Sequence, residues 1–353
     1  MDFGLILIMR NPPKWQRPDH EVYQGYIDNA VLGEKLGFSH LWTSEHHFME
    51  CGWSPSQFPI LASIAARTER IRVGTLIYLL ALHNPIQAAE DAATVDILSN
   101  GRLDFAVGPG GSPNENRVFG ISYGDRRARM HEGLALIRRC FEEEKVDHEG
   151  KYFRFKDVRM TTRPVQKPFP LWVAAFGPKA LTEAGAGGYH LAATPPAEMQ
   201  KYYDNALRGA GHDPKKFKRS MHQIVHVAET TEKAWDEAEP HIHYYMEKHY
   251  SMIEEDRLLR STSAPLDKSG KPDLRVPPLG ELRKSGRGPY GPSFIGSPDL
   301  IIKQLEELFS THPMDEMSPS LGLPGMDPKI ARKSMELFAR EVMPHFKNFN
   351  GRK

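Results

Sequence analysis

The densest acid–base chemistry in the chain lies at Glu45-His46-His47-Phe48. An imidazole titrates near neutrality, so His46 or His47 can move a proton at physiological pH, and a carboxylate such as Glu45 can fix its tautomer. With sixteen histidines present, an ordinary hydrogen-bonded loop histidine is the competing reading at this position. Metal binding is a second competitor, and the spacing speaks against it. Adjacent His46 and His47 point to opposite sides of an extended backbone and do not share one ion. There is no H-E-x-x-H and no CxxC, and His241 and His243 fall on a predicted helix about 200° apart. No metal is expected.

Two other segments suit ligand binding. Val107-Gly108-Pro109-Gly110-Gly111-Ser112 has neither dinucleotide-fingerprint nor P-loop spacing, and a polar loop, not a helix, is expected after Pro113. Its glycines either let backbone approach a flat or anionic ligand closely or simply make a wide turn. Phe176-Gly177-Pro178-Lys179 reads as a tight turn into a helix with Pro in its first turn. Free N–H groups, the helix dipole and Lys179 would all favour a phosphate there. Arg126, Arg127 and Arg129 could add a guanidinium, or could instead pair at the surface with Asp125 or Glu132. Spacing does not choose among them.

These residues need a scaffold, and the rhythm of the chain supplies one. Apolar runs predict strands at Phe3–Met9, Ser39–Thr43, Ile71–Tyr78, Leu103–Val107, Leu171–Ala175, Tyr189–Ala193 and Gln223–Ala228. The weakest strand composition is at 315–321, where an eighth is expected. Helical spacing covers Asp19–Leu36, stopped by Gly37, then Ser56–Arg67, Pro85–Leu98, Asp125–Glu143, Ala197–Gly209 and Thr231–Tyr250, with a short helix opening at Pro178. Repeated βα units of this kind predict one (β/α)₈ TIM barrel over residues 1–353. Glu45–Phe48 would then sit at a strand exit, where barrel enzymes keep catalytic groups. Residues 260–292 break the rhythm with Pro, Gly, Ser, Lys and Arg, and are expected to form a mobile loop insertion over the pocket.

Bulk properties narrow the function further. The 353 residues carry a net charge of +1, which argues against nucleic-acid or membrane-surface binding. Two cysteines, Cys51 and Cys140, make no disulfide framework and suit a reducing cytoplasm. The opening MDFGLILIMRNPP reads as a buried first strand rather than a targeting segment.

In order along almost the whole chain, the sequence resembles the bacterial-luciferase-like flavin-dependent monooxygenases. The resemblance is carried by FGLIL, GFSHLWTSEHHF, IRVGTLI, HNPIQAAEDAATVDILSNGRLDFAVGPG, VFGISYGDRRARM, LWVAAFGPKAL, FIGSPDLIIKQLEEL and SMELFAREVMPHF. It implies that His46 is the catalytic base, with His47 and Glu45 holding it. It also implies that Arg127 holds the FMN phosphate, that Ala175-Phe176-Gly177 wrap the same phosphate, and that Leu76-Ile77 form a non-prolyl cis peptide under the flavin. Gly108, at the cofactor-binding loop, stands where the light-emitting α chain has a reactive cysteine. Pro109 and Pro195 replace an arginine and an aromatic residue, which makes light emission doubtful.

The activity so implied is a two-component monooxygenase. Reduced FMN from a separate flavin reductase would react with O2 at C4a, and one oxygen atom would enter a small, apolar organic substrate, by hydroxylation or Baeyer–Villiger insertion. A homodimer is expected. Trp42, Phe48, Trp53, Phe58, Tyr78 and Phe176 are candidates to line an apolar pocket, or to be core. The alternatives are an F420-dependent hydride-transfer enzyme of the same superfamily, a metal-dependent barrel hydrolase and a non-catalytic barrel.

Overall fold

A computed structural model of the chain describes residues 1–257, 275–289 and 291–352. The first half alternates strand and helix with short connections. It runs β1 (Asp2–Leu7), α1 (Asp19–Leu36), β2 (His40–Thr43), α2 (Gln57–Ala65), β3 (Arg72–Tyr78), α3 (Pro85–Leu98) and β4 (Leu103–Val107). After β4 come α4 (Pro113–Val118), α5 (Arg126–Glu142) and an antiparallel hairpin of β5 (Val146–Glu149) and β6 (Arg154–Val158). The barrel resumes with β7 (Leu171–Val173), α6 (Gly177–Ala186), β8 (His190–Leu191), α7 (Ala197–Gly209), β9 (Ser220–Val227) and α8 (Thr231–Arg257). A short helix α9 (Leu282–Ser285) and the two-residue strands β10 (Arg287–Gly288) and β11 (Gly291–Pro292) lead into β12 (Phe294–Gly296). Then α10 (Pro298–Thr311), β13 (Glu316–Ser320) and α11 (Pro328–Leu337) complete the fold.

The parallel strands run in the order β12-β9-β13-β1-β2-β3-β4-β7-β8. A parallel bridge between Leu191 and Arg219, the residue preceding β9, joins the two ends. Eight strands therefore curl into a (β/α)₈ barrel, and β12 is an extra short strand on the last three residues of β9. No described helix is long and apolar enough to cross a membrane.

Strands buried on both faces explain why the run FGLIL is continuously apolar and why LDFAV is apolar except for Asp104. One core lies between strands and helices. A second, smaller one fills the barrel with Ile6, Trp42, Leu76, Ala106, Trp172 and Ile224 among others. The barrel interior also holds a polar layer. Asp104 on β4 accepts from Arg72 Nε at 2.6 Å, Arg72 Nη2 at 3.0 Å and Trp172 Nε1 at 3.1 Å. Burial raises its pKa, but the Arg72 guanidinium outweighs that and holds the carboxyl below the usual carboxylate value.

The same layer explains the weak composition of the eighth strand. Glu316 and Ser318 point inward, and Glu316 Oε1 accepts from Trp42 Nε1 at 2.7 Å and Ser318 Oγ at 2.5 Å. The EMSPS segment is thus a fully buried strand in which Glu316 Oε1 is satisfied by Trp42 of β2 and by Ser318 of its own strand.

One expectation needs correction. A six-residue helix, α4, follows the glycine run, where a polar loop was expected: Ser112 caps it, accepting from Glu115 N at 3.3 Å, and Pro113 takes its first turn. The hairpin β5–β6 and strand β12 are additional elements, too short or too polar for a periodic signal. The expected 260–292 insertion lies partly outside the described residues. Its described end is anchored to α8, with Gly280 N donating to Glu239 Oε1 at 2.8 Å and Arg283 pairing with Asp236 and Glu239.

Candidate active site

One cavity of about 330 Å³ opens at the carboxyl ends of the strands, lined by residues from β1, from the β2, β3, β4 and β7 exits, and from β9, α5, α6 and α8. Glu45, His46, Leu76, Ile77, Arg127, Ala175 and Phe176 all line it. His47, Gly108 and Gly177 do not line it, but each is next in sequence to a residue that does, His46, Pro109 and Phe176 respectively.

His46 leaves β2 with its ring against Trp53, at a centroid separation of 4.4 Å. Its Nδ1 lies 3.0 Å from Glu115 Oε1, and the same oxygen accepts the His47 backbone N–H at 2.8 Å. Glu115 is 1% exposed, so a buried carboxylate grips Nδ1 and leaves Nε2 available for chemistry. This corrects the expected support, because Glu45 makes no hydrogen bond to His46. Glu45 Oε1 instead joins His47 Nε2 at 2.8 Å and His83 Nε2 at 2.6 Å, while Oε2 accepts Leu79 N–H at 3.0 Å. Burial pushes the Glu45 carboxyl up, but these donors together hold it below its ordinary value. Glu45 thereby ties the β2 exit to the chain following β3.

Glu45, His47 and His83 bring one ligand atom each within 4.8 Å of one another, a grouping that could hold a metal ion. The expectation that His46 and His47 diverge agrees with the geometry, His46 turning to Glu115 and His47 to Glu45, and the third member, His83, lies on another loop.

 

His83 lies 38 residues from Glu45 in sequence, just before the N-cap Asn84 of α3. It is part of the HNPIQ segment, but no local pattern ties it to Glu45. Glu115, 69 residues from His46, was likewise missed; its only sequence signal is the Ser112-x-x-Glu115 capping pattern.

The β3 exit carries a cis peptide bond between Leu76 and Ile77, at the position the resemblance implies. Gly108 packs beneath it: a Cβ there would come within 1.9 Å of Ile77 Cδ1. Gly108 thus makes room for Ile77 and does not itself line the cavity.

The three arginines separate by their partners. Arg126 donates to Gly110 O and Tyr123 O at 3.1 and 2.6 Å and stacks on Tyr123. Arg129 donates to Ala81 O at 2.9 Å and covers Phe153. Arg127 is exposed at the cavity and makes no hydrogen bond or ion pair among the described residues. Nearby, α6 starts without a side-chain cap after Phe176. Gly177 has a φ of +79°, a conformation that favours glycine. A free guanidinium and uncapped N–H groups on one cavity suit a phosphate, and Ile6, Ile8, Leu76, Val173 and Ala175 supply apolar walls for a flat ring. The residues present therefore fit a flavin phosphate and ring.

Of the candidate aromatic residues, Trp53 and Phe176 line the cavity. Trp42, Phe58 and Tyr78 are core, and Phe48 is exposed outside it.

His222 on β9 lines the cavity too, and burial pushes its pKa down to about 4. It is neutral at pH 7. Since its ordinary value is 6.5, the unfolded chain takes up this proton first as pH falls. The stability it contributes is complete above pH 6.5 and is lost as pH falls toward 4. We expect His222→Asn to flatten the pH dependence of thermal unfolding across that window; an unchanged slope would remove His222 from the account.

A parallel barrel with an acid–base pair and an anion-ready pocket at its strand exits defines a cofactor-assisted barrel enzyme. The chain belongs to the luciferase-like monooxygenase family, whose sequence model matches residues 1–313. It is 29% identical to limonene 1,2-monooxygenase of Rhodococcus erythropolis, over 98% of this chain and 87% of that one. It is also 32% identical to an F420-dependent glucose-6-phosphate dehydrogenase of Amycolatopsis mediterranei, over 51% of this chain and 56% of that one. The solved monooxygenase RslO1 of Streptomyces bottropensis superposes with a TM-score of 0.79 at 26% identity, covering 98% of this chain and all of the other. The family therefore includes flavin monooxygenases and F420-dependent dehydrogenases, and this chain is an oxidoreductase of that family.

Proposed function

We propose that the chain is the oxygenase of a two-component, FMN-dependent monooxygenase acting on a small organic substrate, working as a homodimer supplied by a separate flavin reductase. The observation that carries this reading is the pairing, on one cavity, of an uncommitted Arg127 with a His46 whose Nδ1 is held by buried Glu115. Arg127 and the α6 N-terminus would hold the phosphate, and the Leu76–Ile77 segment would support the ring. Bound reduced flavin supplies the electrons that activate dioxygen. His46 Nε2 then moves the proton, with Glu115 stabilising the imidazolium as it forms. The apolar walls exclude water and lower the local dielectric, which strengthens both interactions.

The test is a stopped-flow reaction of the anaerobic protein with reduced FMN against oxygenated buffer, with F420 binding measured in parallel. A protein-dependent transient absorbance, distinct from reduced and oxidised flavin, supports the proposal. Reoxidation at the rate of free flavin together with tight F420 binding would move the chain to the hydride-transfer branch.

A further inference from the structure

Arg10 follows β1 and is 1% exposed. None of its Nε, Nη1 and Nη2 atoms has a hydrogen-bond partner among the described residues. Its guanidinium carbon lies 3.5 Å from the centroid of a Trp53 ring and 4.2 Å from that of Tyr245. The rings cover its faces and offset part of the cost of burying the charge. They do nothing for the in-plane N–H donors, and a buried, unpaired guanidinium is costly.

The surroundings tie this cation to the cavity. Ile6 and Ile8 line it, and Arg10 is the next residue of that alternation; Trp53 and Tyr245 line it as well. The segment that carries Trp53 bridges Arg10 through Gly52. There Trp53 and Ser54 adopt φ values of 131° and 37°, which non-glycine residues rarely adopt. Trp53 Nε1 is anchored on Ser44 Oγ at 2.5 Å. The loop adopts an unfavourable backbone and lays an indole over a cation that has no counter-charge among the described residues.

We propose that Arg10 recognises a carboxylate on the substrate, so that the substrate is an organic acid whose carbon frame lies against Trp53 and Tyr245, the rings parting to admit the anion. The planar fork of five donors matches a carboxylate in two parallel hydrogen bonds. This rests on the reading of the cavity as the substrate chamber of an FMN-dependent oxygenase.

The experiment is calorimetric titration of the FMN-loaded protein with benzoate and with its neutral counterpart benzamide, in wild type, Arg10→Met and Arg10→Lys. Wild type should prefer benzoate by about 10- to 100-fold. Arg10→Met should lose that preference with benzamide binding unchanged, and Arg10→Lys should keep part of it. Arg10→Met should melt no lower than wild type, because it removes an unpaired buried charge. Equal binding of the two probes to wild type, or benzoate preference surviving in Arg10→Met, overturns the proposal. A markedly lower melting temperature or failure to fold also overturns it, since Arg10 would then be structural. FMN affinity and the transient absorbance in wild type report on the flavin reading separately, so either idea can fail alone.

Discussion

Replacing His46 by alanine is expected to lower product formation with reduced FMN by about 10²–10⁴-fold, the usual contribution of a positioned acid–base group. FMN affinity should stay close to wild type, because the phosphate-binding candidates are on α5 and α6. The geometry adds a graded series. Glu115→Gln keeps an acceptor near His46 Nδ1 but removes the charge that stabilises the imidazolium, so its loss should be smaller. Glu115→Ala removes the acceptor as well and should approach His46→Ala. Product formation normalised to bound FMN checks the series. Full activity in His46→Ala would remove it from the proton transfer, and an inert Glu115 would leave His46 positioned by Trp53 alone.

The second large effect concerns the phosphate. Arg127→Ala should weaken FMN binding by about 10- to 100-fold, the scale of a charge-assisted hydrogen bond to phosphate. Riboflavin has no phosphate, so its binding should not change. Arg126→Ala should cost less, since that guanidinium is committed to Gly110 O and Tyr123 O. Fluorescence titration of both flavins against both variants reads this directly. Equal losses for FMN and riboflavin would show that Arg127 acts on pocket shape rather than on the phosphate.

Much of the architecture was legible because strands buried on both faces must be apolar and their helices must be periodic. Residues 3–7, 72–78 and 103–107 carry that signal plainly, and Glu45–Phe48 could be placed at a strand exit from it. The last strand was weakly legible because Glu316 and Ser318 satisfy one another and Trp42 inside the barrel, a compensation that composition does not display. The helix α4 was missed because six residues are too few for a period to emerge.

By itself the sequence determined the barrel class and the family, and it pointed to the neighbourhood of the candidate site. Those depend on local periodicity and on motif order, which are properties of the chain alone. Only the tertiary structure decided which groups pair: Glu115 with His46, Glu45 with His47 and His83, and Arg126 and Arg129 with backbone carbonyls, while Arg127 has no partner among the described residues. Such pairings join loops distant in sequence, and their partners are set by how the closed barrel brings separate strand exits together.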